Sequence, residues 1–80
     1  MWRIEVSYAG RYYPCMDEII EKIAKRESDG SGMGLGERDL SFYFKTKKQA
    51  EKFASDLDKF VKMMNFEITI GEIERLKNDN

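Results

Sequence analysis

The sequence predicts an α+β fold of the ferredoxin-like, split β-α-β kind (βαββαβ): an antiparallel sheet with two helices on one face. Three observations lead there. Residues 2–8, 40–44 and 66–70 alternate polar and apolar side chains with a period of two, the mark of half-buried strands. Residues 16–28 and the stretch after Thr46 repeat apolar side chains at helical spacing. With a glycine-alternating segment before Leu40, the chain reads strand, helix, strand, strand, helix, strand. If Ile4, Val6, Leu40, Phe42, Phe44, Phe66, Ile68 and Ile70 all face the helices, every element buries its apolar side at once.

The first strand, Trp2 to Tyr8, ends at Ala9-Gly10. A short loop, Arg11-Tyr12-Tyr13, leads to Pro14, which suits a helix start because its missing N–H lies where no helical partner exists. The first helix is expected from about Met16 to Ser28, with Met16, Ile19, Ile20, Ile23 and Ala24 as its stripe and Ser28-Asp29-Gly30 as its stop. Asp17 and Glu18 near its start and Lys25 and Arg26 near its end complement the helix dipole.

Residues 30–36 carry glycine at every second position. If extended, one face is bare and the other shows Ser31, Met33 and Leu35. A turn through residues 36–39 would set Leu35 opposite Leu40 and Met33 opposite Phe42, making a weak edge strand; a flexible loop is the competing reading. Thr46 with Gln49 three residues on matches a capping box for the second helix, whose apolar face is Ala50, Phe53, Ala54, Leu57, Phe60, Val61 and Met64. The last strand closes at Gly71, and residues 72–80 read as a weakly ordered tail, a frayed helical turn anchored by Ile73 and Leu76.

Eighty residues suffice for one domain and one core. A chain that is 41% hydrophobic and 36% charged belongs with folded globules. Fourteen basic and fifteen acidic residues give a net charge of −1, without the surplus that phosphate neutralisation favours. No stretch approaches the ~18–20 apolar residues of a membrane span, and the start lacks the apolar run of a secretory segment, so a cytoplasmic protein with no membrane partner is expected. The single cysteine, Cys15, makes no internal disulfide and reads as a small semi-buried residue.

Little here points to catalysis. With no histidine, Cys15 lacks the usual base. No carboxylate pair stands at an acid–base spacing, and Asp17, Glu18 and Glu21 read as helix surface rather than a ligand set. The glycine segment follows a helix and precedes a strand, the reverse of a phosphate loop, and lacks Gly-Lys-Ser/Thr. No cofactor, metal or enzymatic activity is expected.

Residues 38–50 resemble the third strand and second helix of RNA-recognition motifs, with Ala50-Glu51-Lys52 opening the helix much as in that family. The resemblance implies the same frame. Aligning Phe44 with the last aromatic of the family's signature puts Asp39 and Ser41 where its base-stacking aromatics belong, so the RNA site does not carry over. The expected open face holds Arg3, Glu5, Ser7, Asp39, Ser41, Tyr43, Glu67 and Thr69, of which Tyr43 alone offers a ring. Acylphosphatases share the expected fold and bind phosphate in the loop after the first strand; here that loop offers Arg11, but the Val-Gln-Gly-Val core is missing and no asparagine precedes Asn65.

The leading expectation is a non-catalytic protein-interaction module (adaptor, inhibitor or self-associating domain) that docks another protein or its own copy. Its contacts would be Arg11, Tyr12 and Tyr13, residue types that often anchor interfaces, and the edge at Gly32 and Gly34. Behind it stands nucleic-acid binding through Lys45, Lys47, Lys48 and Lys52, and behind that an anion-dependent enzyme using Arg11.

Overall fold

The computed structural model describes residues 1–9, 14–34 and 36–76. It is an α+β protein: β1 (Trp2–Ala9), α1 (Pro14–Ala24), β2 (Gly30–Gly34), β3 (Glu37–Phe44), α2 (Lys47–Met64), β4 (Ile68–Ile70) and β5 (Glu74–Arg75). The five strands form one antiparallel sheet in the order β2-β3-β1-β4, with β5 also on β1. Alternation decides which side is buried. Ile4, Val6 and Tyr8 of β1 and Leu40, Phe42 and Phe44 of β3 point to one face, where Ile20 of α1 and Ala50, Phe53 and Leu57 of α2 cover them. Phe42 packs on Phe53 with ring centroids 4.9 Å apart. Each fully buried side chain of this size adds roughly 1.5–3 kcal/mol.

Several boundaries differ from the sequence expectation. Helix α1 stops at Ala24, not near Ser28. Its apolar stripe ends there, and Lys25 turns into the left-handed region with φ 60°. Arg26 N–H then donates to the Glu21 carbonyl (3.2 Å), and Ser28 N–H to the Glu21 carboxylate (2.8 Å). The glycine segment is a strand, but in another register: Met33 lies opposite Arg38 and Ser31 opposite Leu40. Strand β3 begins three residues early, at Glu37, and Gly36, at φ 79°, takes the turn. The expected core pair of Met33 with Phe42 does not form, and Met33 is 53% exposed; Leu35, expected opposite Leu40, lies outside the described residues.

Helix α2 starts as expected, with Gln49 N–H donating to Thr46 Oγ1 at 3.2 Å. Its last expected apolar residue, Met64, is exposed. Phe66 lies outside β4 and packs on Phe60 at 5.7 Å. The segment expected as a frayed helical turn instead holds β5, which pairs Arg75 with Trp2 and Glu74 with Arg3. Ile73 packs against the core, and residues 77–80 lie outside the described residues.

Gly71 sits where β4 gives way to β5, its N–H on the Glu5 carbonyl at 2.8 Å; a Cβ there would come within 3.0 Å of that oxygen. Gly71→Ala should therefore lower stability by about 1–2 kcal/mol in urea unfolding. Lys25→Gly should raise it by about 0.5–1 kcal/mol, because glycine takes a left-handed backbone without the Cβ clash; no gain in Tm would count against strain at Lys25.

Candidate functional site

The sheet ends in a free edge. All five residues of β2 are exposed, and among the described residues the strand pairs with β3 alone. A strand paired on one side leaves about half of its backbone N–H and C=O groups pointing outward. Gly32 lies opposite Asp39 and Gly34 opposite Glu37, so the glycines share the open face of the sheet with those carboxylates. A Cβ at either glycine would meet nothing within 4 Å, and neither has a left-handed backbone.

Next to this edge lies an ionic cluster that the sequence reading missed. Arg38, opposite Met33, donates from Nη2 (2.8 Å) and Nε (3.2 Å) to Asp17 Oδ2. The Tyr8 hydroxyl donates to Asp17 Oδ1 at 2.7 Å. Asp17 was expected on the helix surface; it is 7% exposed. The three side chains come from the end of β1, the first turn of α1 and the start of β3, and they clamp the helix start to the sheet. A signal was present in the sequence. Asp17 stands three residues before Ile20, inside the apolar stripe, and Arg38 shares the parity of Leu40, Phe42 and Phe44. Opposite charges at two core-facing positions imply a pair, since an unpaired buried charge is costly.

The other candidate residues are distributed unevenly. Arg11, Tyr12 and Tyr13 lie outside the described residues. Cys15, expected semi-buried, is exposed. Lys45, Lys47, Lys48 and Lys52 differ in their contacts. Lys47 Nζ lies 5.7 Å from the centre of the Trp2 ring, and Lys52 reaches Asp56 at 3.8 Å. Lys45 and Lys48 are exposed, with no ion pair among the described residues. The open sheet face carries Arg3, bound to Glu5 at 2.6 Å and Glu74 at 3.5 Å. Among the described residues no group of three or more His, Cys, Asp or Glu is placed to hold a metal ion, and no helix is long and apolar enough to cross a membrane.

Asp17→Ala removes the buried carboxylate that Arg38 and Tyr8 share and should cost about 3 kcal/mol; Tyr8→Phe should cost about 1 kcal/mol. Chemical denaturation of both variants checks this, and a loss under about 1 kcal/mol for Asp17→Ala would mean the clamp is not structural. Compared with protein-family models, curated proteins and solved structures, the chain matches none of them at a significant level.

Proposed function

We propose that this protein is a non-catalytic protein-interaction module that docks through the β2 edge. The supporting frame is read as ferredoxin-like: helices follow β1 and β3, the strand order is β2-β3-β1-β4, and β5 is an addition on the far side of β1.

The observation that carries the proposal is the pair of glycines at Gly32 and Gly34. The fold has open space for a side chain at both and needs no special backbone angle there. Glycine in a strand costs roughly 0.5–1 kcal/mol against alanine. Two positions thus forgo stability with no reason for it among the described residues. A bare edge does suit a second backbone, which adds as a further strand by main-chain hydrogen bonds. Edges that must stay free usually carry lysine, proline or a bulge; residues 30–34 contain no proline and no charge. The occupant is an extended segment of another protein or the same edge of a second copy.

A second reading, nucleic-acid binding, draws on exposed Lys45 and Lys48 beside the start of α2, whose first turn carries no acidic residue.

Combined Gly32→Lys and Gly34→Lys changes should leave Tm within about 3 °C of the parent and abolish self-association in sedimentation, or capture of whichever protein the parent retains after nuclease treatment. Unchanged association by the folded variant would sink the edge proposal. Retention of an oligonucleotide that weakens steeply with salt and with Lys48→Glu would favour the second reading.

A further inference from the structure

A second opening lies at the other end of β3, remote from the β2 hairpin. A cavity of about 250 Å³ sits between the end of α1 and the first half of α2. Its apolar lining is Ile23, Ala24, Phe44 and Phe53, the two rings 5.5 Å apart. Three cations, Lys25, Arg26 and Lys52, stand around it with one carboxylate, Asp56. The chain as a whole has a net charge of −1, so this positive rim is local.

The three cations differ. Arg26 is fixed: it donates to the Tyr43 carbonyl at 2.6 Å and to Asp29 at 3.0 Å, and its guanidinium lies 5.7 Å from the centre of the Phe44 ring. It forms a wall. Lys52 makes only a long, exposed pair with Asp56, at 3.8 Å, which solvent and competing anions readily exchange. Lys25 has no ion pair among the described residues, and its backbone holds a left-handed conformation that glycine or asparagine usually takes after a helix. A strained, non-glycine residue at the mouth of a cavity points to a use for its side chain.

Size and chemistry narrow the ligand. The cavity takes one large apolar side chain and falls below the roughly 300–1,000 Å³ of small-molecule pockets. The phosphates of a nucleic acid would meet the lysines, but stacking needs an open ring face, and Phe44 and Phe53 are only 6% and 3% exposed. We infer that this opening binds an acidic peptide segment, one apolar side chain lodged against half-buried Ile23 and Ala24 and its carboxylates on Lys25 and Lys52. The inference adds a second docking surface to the interaction-module reading and does not need the β2 edge, so each surface fails or stands by its own variants.

The test is a titration of ¹⁵N-labelled protein with the capped peptide Asp-Glu-Asp-Leu-Glu-Asp, followed by amide shifts. Saturable shifts at Lys25, Gln49 and Lys52 are expected, with binding at least about fivefold weaker when the peptide leucine is alanine. Lys25→Gly should weaken binding by about fivefold while Tm does not fall, which separates a lost contact from a lost fold. Three results overturn the inference: no shift at about 2 mM peptide, equal binding by the leucine and alanine peptides, or Lys25→Gly binding as well as the parent. Larger shifts at the same amides with a thymidine decanucleotide than with the peptide would also overturn it, and would assign the lysines to phosphate.

Discussion

Strand β1 exchanges backbone hydrogen bonds on both edges, with β3 on one side and with β4 and β5 on the other. Most of what surrounds it follows from that constraint. A strand paired on both sides has no free polar backbone to offer water, so its helix-facing residues are suited to full burial, and Ile4 and Val6 are 0% exposed. The same pairing makes Gly71 necessary, since the chain must pass from β4 to β5 while its N–H stays on the Glu5 carbonyl. It also sends β2 to the outside, beyond β3, where neither face of the strand is covered.

The central elements were legible in the sequence because their patterns are long and consistent. Two eight-residue strands with the burial alternation i-B-i-B, and an 18-residue helix with a Thr46 cap, leave few alternatives. Legibility fails where the chain has few apolar residues to fix it. With three glycines among five residues, β2 carries no core side chain to set its register, so the turn at Gly36 sets it instead. Two-residue β5 is too short to show a period and is held by its neighbour on β1, at the other end of the sequence. Of the candidate residues, the bare edge was visible in the glycine spacing. The Asp17–Arg38 clamp shows only when the two core-facing positions are read together, because each charge taken alone has an ordinary place on a surface. The cavity between α1 and α2 depends on where α1 stops, and Lys25 ends it by a backbone choice that composition does not encode.

Stability and surface chemistry are separated in this small protein. Among the described residues ten hydrophobic side chains form the buried core, and the clamp at Tyr8, Asp17 and Arg38 ties the helical layer down at one end of the sheet. The positions that depart from the most stable choice, Gly32, Gly34 and Lys25, all lie outside that core and are exposed. Such departures are tolerated where the remainder of the fold holds the backbone in place.

Trp2 is the chain's one tryptophan and sits at the seam where the sheet's last strand attaches. Its ring is flanked by Lys47 of α2 at 5.7 Å and Arg75 of β5 at 5.8 Å. Cations that close polarise an indole and so bear on its emission, and both come from elements that reach Trp2 only when tertiary structure is in place. Release of β5 alone would remove Arg75 and leave Lys47, whereas global unfolding would remove both. The protein thus carries an intrinsic optical reporter that distinguishes loosening of its edge from loss of its core.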